Sequence, residues 1–297
     1  MVTLRKKNKG TKTYYYLAHT LRHKGKIEKK ELYLGKSIPK NVEELKQGFL
    51  ASVYKTRWYP LLESIKERFG KELRSTPLSA VKEELGKFAI RFTYDTQRIE
   101  GSTLTLRETA QLLEKGIPPA GKPLRDVKEA EAHKLTFEEA IRTKKDISLS
   151  NVLHLHRKLF EATKLDIAGK IRSHQVAIAG SKFMPPFPAE LYPLLRGFFA
   201  WYEKHKEKMQ PVELAALVHL RFVTIHPFAD GNGRISRLMM NLVLYRKGYL
   251  MLNIPYERRN SYYHALERAQ TTKNEAIFVQ WFFKRYIKEY RQYVTKQ

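Results

Sequence analysis

Strand-like residues are concentrated in the first forty positions of this chain, and from Asn41 to Val294 apolar residues recur mostly at helical spacing between glycine and proline stops. The chain therefore reads as mainly α, with a small β element in front. In that leading part, Tyr14-Tyr15-Tyr16-Leu17 and Lys30-Glu31-Leu32-Tyr33-Leu34 read as strands. His23-Lys24-Gly25-Lys26 reads as the turn between them, with Gly35 and Pro39 closing the hairpin. Helices are expected over 42–69 (ended by Gly70), 77–99, 106–113 and 127–142, then from a Ser150-Asn151 cap through Phe160. Further helices are expected over 189–205, 211–225, 234–247, 261–270 and 276–294. Gln175-Val176-Ala177-Ile178 is the one strand expected in this half, and Gly180 with Pro185-Pro186 gives it the outline of a short hairpin. We divide the chain into a basic β-hairpin extension (1–38), an amino-terminal helical region (39–145) and a core (146–297).

Composition narrows the chemistry. The 297 residues include no cysteine, which excludes a disulfide framework, a thiolate zinc site and a cysteine nucleophile. No apolar run is long enough to cross a bilayer, and no apolar stretch follows the basic amino terminus, so a cytoplasmic protein without a membrane partner is expected. Net charge is +26, and residues 1–40 contribute 12 Lys and Arg against Glu28 and Glu31. A balance like that favours anionic partners. The mixture of cations and tyrosines in the extension either contacts nucleic acid, through phosphates and stacked bases, or packs on the helical part.

One segment concentrates reactive groups: His226-Pro227-Phe228-Ala229-Asp230-Gly231-Asn232-Gly233-Arg234-Ile235-Ser236-Arg237. Pro211 suits the first turn of a helix and Pro227 ends it, which holds the His226 imidazole at a helix terminus. Gly231-Asn232-Gly233 allows backbone amides to converge on one point. The next helix then starts with unsatisfied N–H groups and the positive end of its dipole, an anion site. Arg234 and Arg237 are three apart on one helical face and suit a polyphosphate. Asp230 stands where Mg²⁺ bridging phosphates needs a carboxylate. A base, a metal ligand, an anion nest and two guanidiniums match transfer of a phosphorus group to a hydroxyl.

The segment matches, at every specified position, the signature His-Pro-Phe-x-(Asp or Glu)-Gly-Asn-Gly-Arg-x-x-Arg, and on it the chain resembles the Fic family. A phosphate loop of the GxxxxGK(S/T) type is absent. The resemblance, spanning roughly 77–294, implies a Fic-type helical bundle with a β-hairpin flap, and AMP transfer from ATP, with Mg²⁺, to a Ser, Thr or Tyr hydroxyl of a target protein or of the chain itself. It implies His226 as general base, Asp230 as metal ligand, and Gly231, Asn232 and Gly233 as the phosphate cradle, with the Asn232 side chain as a further donor. Arg234 and Arg237 would neutralise the β- and γ-phosphates, and Phe228 would anchor the loop. Gln175, Val176, Ala177 and Ile178, after Ser173-His174 and before Met184-Pro185-Pro186, resemble the flap that holds a target peptide by strand addition; an ordinary surface hairpin is the other reading. Asn260-Ser261-Tyr262-Tyr263-His264 followed by Gln270 resembles the helix beside the adenine pocket. Tyr263 is the ring contact there, Gln270 replaces a customary Asn, and core packing is the alternative for Tyr262 and Tyr263. Thr96-Gln97-Arg98-Ile99-Glu100-Gly101 resembles the family's inhibitory helix, with Glu100 paired to Arg237.

Rival readings keep the same core: removal of AMP from a modified protein with Glu100 positioning water, a different nucleotide or phosphocholine donor, or a DNA-associated regulator with a vestigial site. A homodimer is expected. His154 and His156, two apart, lie on different helix faces and read as core or supporting histidines rather than metal ligands.

Overall fold

The computed structural model describes residues 2–23, 26–143 and 145–294. Among them are three strands and eleven α-helices: β1 (Val2–Lys9), β2 (Lys12–His23), β3 (Lys26–Gly35), α1 (Val42–Arg57), α2 (Tyr59–Ser75), α3 (Leu78–Ile99), α4 (Leu106–Lys115), α5 (Leu124–Arg142), α6 (Leu149–Phe160), α7 (Leu191–His205), α8 (Pro211–Ile225), α9 (Asn232–Arg246), α10 (Arg259–Thr271) and α11 (Glu275–Glu289). The mainly helical expectation holds. The described residues form two compact units, one up to Ile65 together with those from Gln292, the other within Lys66–Arg291.

In the first unit the expected hairpin is a three-stranded antiparallel sheet in the order β1-β2-β3. The extra strand, β1, is Val-Thr-Leu-Arg-Lys-Lys-Asn-Lys and carries almost no apolar alternation; its pairing with β2 rests on backbone bonds. The centre of the expected turn, Lys24-Gly25, lies outside the described residues. Leu17 of β2 packs on Phe49 and Val53 of α1, with Val2, Leu34, Val42 and Leu45 around them.

The single helix expected over 42–69 is two. The chain breaks at Trp58, where Pro60 in the first turn of α2 cannot continue α1, and α2 runs through Gly70. The α6 cap is Ser148, not Ser150-Asn151; its hydroxyl accepts from Asn151 N.

The second unit is built around α8 and α9. Eleven of the fifteen α8 residues are buried, and α9 buries Ile235, Leu238, Met239, Met240, Leu242, Val243 and Leu244 together with Arg234, Arg237 and Asn241, so both helices are enclosed nearly all round. α7 and α11 cover α8, while α3, α5 and α6 lie against α9 or one another. Buried Asp95 of α3 accepts from Asn253 Nδ2 (2.5 Å) and Tyr256 N (2.8 Å), fixing the α9–α10 loop to α3. α3 thereby keeps a fixed place relative to α9.

Gln175–Ile178 is not a strand: the one sheet among the described residues is β1-β2-β3. The segment leads into a turn at Ala179-Gly180, closed by Ser181 N to Ile178 O (3.1 Å). A ladder is not available to it, because Pro185 and Pro186 remove two donors from the returning arm and their carbonyls accept from Gln175 Nε2 (2.9 Å) and Arg172 Nη2 (2.6 Å).

Candidate active site

α8 ends where Pro227 requires, and His226 takes φ +52°, a left-handed conformation costly for any side chain yet less rare for histidine. Its surroundings enforce it. His226 N donates to Phe222 O (3.0 Å), and Arg172 clamps the other side, Nε to His226 O (2.9 Å) and N to Pro227 O (3.0 Å). The His226 Nδ1 stands 3.1 Å from Val223 O. A carbonyl only accepts, so Nδ1 carries the proton and Nε2 keeps a free lone pair. Burial holds the imidazole pKa below its usual value, which favours the neutral, basic form.

The loop after His226 is fastened from within. Asn232 Oδ1 accepts from Phe228 N (2.9 Å) and its Nδ2 donates to Phe228 O (2.8 Å). This overturns the expectation of a free Asn232 side chain: both ends of the amide hold the turn. Phe228 is 1% exposed and stacks on His156 with ring centroids 3.8 Å apart. His156 Nδ1 accepts from Gly169 N (2.9 Å), so Nε2 is the donor to Asp230 O (3.0 Å). His156 thus supports the loop, and His154 bonds instead to Glu139 at 2.6 Å. Gly231 has φ +82°, and a Cβ there would stand 2.5 Å from the Phe160 ring.

Asp230 Oδ1 accepts from Gly231 N (2.5 Å) and Arg234 Nη2 (2.8 Å), and Oδ2 from Lys164 Nζ (2.5 Å). Burial pushes its pKa up, but Arg234 and Lys164 outweigh that and hold it well below the carboxylate range. Arg234, 2% exposed, also pairs with Glu129 of α5, which Lys164 approaches at 3.2 Å. Arg234 is therefore occupied by two carboxylates rather than open to a ligand. No group of three or more His, Asp or Glu suited to a metal occurs among the described residues. One ionised carboxylate still fits Mg²⁺ delivered with phosphates, since that ion takes most ligands from phosphate and water.

Arg237 faces the other way. It is 1% exposed, with Nη2 2.6 Å from Glu100 Oε1, Nε 3.3 Å from Thr96 Oγ1 and Nη1 3.3 Å from Tyr262 Oη. Glu100 caps the carboxyl end of α3, and its Oε1 sits where a Cβ on Gly233 would be, 2.3 Å away. Only glycine at 233 lets the carboxylate lie over the start of α9.

A cavity of about 650 Å³ opens beside this pair. Glu100, His226, Gly233 and Arg237 form one wall, Ile178–Ser181 a second, and Tyr262, Tyr263 and Gln270 a third. Tyr263 is 43% exposed and donates to Ile99 O (2.9 Å), whereas Tyr262 is 1% exposed and belongs to the core. Gln270 Nε2 donates to Thr224 Oγ1 at 3.1 Å. Of the expected flap residues only Ile178 reaches the cavity, and the turn after it is tied to α10 by Lys182 N to Glu267 Oε2 (3.1 Å). Sequence reasoning missed Arg172, Lys164 and Glu129, whose contacts lie 54 to 105 residues away and leave no periodic signal.

Residues 146–244 match the family described as Fic/DOC. A Fic domain containing signaling protein from Bacteroides thetaiotaomicron superposes with a TM-score of 0.69 at 30% sequence identity, covering 78% of this chain and 95% of its own. The chain belongs to the Fic/DOC family. A second Fic structure, Fic-1 (residues 134–508) from C. elegans, gives a TM-score of 0.72 at 26% identity over 86% of this chain and 78% of its own. Among curated proteins, a protein adenylyltransferase Fic of Drosophila ananassae is 38% identical over 180 residues, 59% of this chain and 36% of that protein. The Drosophila melanogaster counterpart is 35% identical over 222 residues, 70% and 45% respectively. The Fic chain described here thus spans less than half the length of these curated relatives.

Proposed function

We propose that this chain is a protein adenylyltransferase moving AMP from ATP to a Ser, Thr or Tyr hydroxyl of a target protein, itself included, with Glu100 holding the reaction down. The supporting observation is a neutral His226 on the wall of the same cavity as Gly233 and Arg237, at the amino end of a buried helix. That end attracts an anion through its N–H groups and dipole. The curated relatives named above carry the adenylyltransferase name.

In this reading the target hydroxyl attacks the α-phosphorus in line; the new P–O bond forms as the bond to pyrophosphate breaks, and the proton passes to His226 Nε2. Arg237 neutralises phosphate charge once Glu100 moves aside. Tyr263 and Gln270 border the adenine, and the Gln175–Ile178 segment meets the target. Among the described residues the amides of Gln175, Val176 and Ala177 enter no backbone–backbone bond, which leaves them for an incoming strand. Arg234, held by Asp230 and Glu129, sets the carboxylate rather than meeting phosphate in this state. Asp230 is the residue to hold Mg²⁺, which would offset phosphate charge when bound, and Lys164 must first leave Oδ2.

Incubation with ATP and Mg²⁺ followed by mass spectrometry tests the reading. A gain of one AMP on the chain or an added protein is expected. ATP binding without any AMP-modified product, from the native protein and from a Glu100 variant alike, would refute it.

A further inference from the structure

The sheet of the first unit has two unlike faces. Strand alternation puts Val2, Leu17 and Leu34 on the face against α1. On the opposite face the register lines up Arg5, Tyr16 and Tyr33 across the three strands, with Lys7 opposite Tyr14 beside them. The Tyr33 ring lies 5.2 Å from that of Tyr16 and 6.2 Å from that of Tyr14, and Tyr33 is 52% exposed. Lys7 Nζ stands 4.6 Å from the Tyr16 ring centroid. At the hairpin end of the same face Lys9 is paired directly with Lys12. Like charges opposite each other destabilise an antiparallel ladder, so this pairing works against the fold and in favour of an anion laid across it. One carboxylate, Glu31, interrupts the field, bridged by Lys7 (2.5 Å) and Lys29 (2.6 Å).

We propose that this face binds single-stranded nucleic acid, with bases stacking on the Tyr14, Tyr16 and Tyr33 cluster and phosphates held by Arg5, Lys7 and the Lys9–Lys12 pair. Tyrosine rings among cations on an open sheet supply the two terms such ligands need, sequence-tolerant stacking and backbone charge. Duplex bases are already stacked internally and offer this face only phosphates. An acidic peptide would use the cations and leave the three rings without a role.

Fluorescence anisotropy of the full chain with a labelled 12-nucleotide single strand, as RNA and as DNA, and with a duplex of equal length, tests this at several salt concentrations. The single strand should bind at least tenfold tighter than the duplex, with affinity falling as salt rises, and the RNA and DNA arms identify the preferred sugar. Tyr33→Ala should weaken binding by roughly 5- to 100-fold with the salt slope unchanged, and Tyr33→Phe should restore it. Arg5→Gln should flatten the slope by about 0.7. Glu31→Gln should tighten binding. Equal affinity for duplex, or a Tyr33→Ala chain that unfolds at the native temperature and binds like the native protein, would overturn the proposal.

Discussion

Replacing Glu100 with glycine removes the carboxylate that lies over the start of α9 and pairs with Arg237 at 2.6 Å. Glu100 is 26% exposed and Arg237 1%, so the pair is only weakly screened by solvent. With charge centres about 4 Å apart and an effective dielectric of about 20, the attraction is roughly 4 kcal/mol before desolvation is subtracted. Arg237 keeps Thr96 and Tyr262 when Glu100 is gone, so part of its hydrogen bonding survives. If ~3 kcal/mol of the pairing holds the closed state, its loss raises the rate of AMP transfer by about 10²-fold. The same change leaves a buried guanidinium without its counter-ion, so the nucleotide-free protein should melt earlier, and ATP should restore much of the loss. The assay is the initial rate of incorporation from α-labelled ATP, alongside melting with and without nucleotide. Glu100→Gln, of equal size but neutral, should fall between native and glycine variants. A transfer rate unchanged within about threefold in Glu100→Gly, with ATP still bound, would refute the autoinhibitory role. Loss of AMP removal from a modified target in that variant would favour a hydrolase.

Other consequences follow from the same geometry. His226→Ala should lower transfer by about 10²–10⁴-fold while ATP affinity changes little, measured by incorporation and by nucleotide titration. Because burial depresses the His226 pKa, the base stays neutral below the ordinary histidine value of 6.5, and the acid limb of the pH–rate profile should lie below that value. Gly231→Ala combines a left-handed backbone with a Cβ 2.5 Å from Phe160 and should destabilise the chain by about 2–4 kcal/mol, read by denaturant unfolding. Burial pushes His133 down to about 3 and His156 down to about 4. Their unfolded forms protonate first, so stability is complete above pH about 6.5 and falls as pH drops toward those values. Melting at pH 5 should therefore be earlier than at pH 7, and less so in His156→Gln.

Local signals carried most of the helical architecture. Pro211 and Pro227 bracket α8 because a proline acts on its own neighbours, and the α8 bounds emerge as expected. Contacts between distant elements were another matter. The Glu100–Arg237 pair joins residues 137 apart, and only the family resemblance pointed to it. Arg172, Lys164 and Glu129 had no such guide, since a lone charged residue on a helix or loop looks the same whether solvated or locked into a network. β1 was illegible for a related reason: Arg5-Lys6-Lys7-Asn8-Lys9 has no apolar face, and its strand character comes from the edge that β2 offers. The Gln175–Ile178 run failed in the opposite sense, with β-branched residues but a proline-rich arm that cannot complete a ladder.

The central claim is that this site transfers the α-phosphorus of ATP, with its nucleoside, to a hydroxyl. Parallel incubations of Glu100→Gly with ATP labelled at the α- or the γ-phosphate, followed by denaturing electrophoresis, measure this most directly. The account predicts label on protein from the α position and none from the γ position, with the signal abolished by adding His226→Ala. Label from the γ position, or α label that persists without His226, would contradict it.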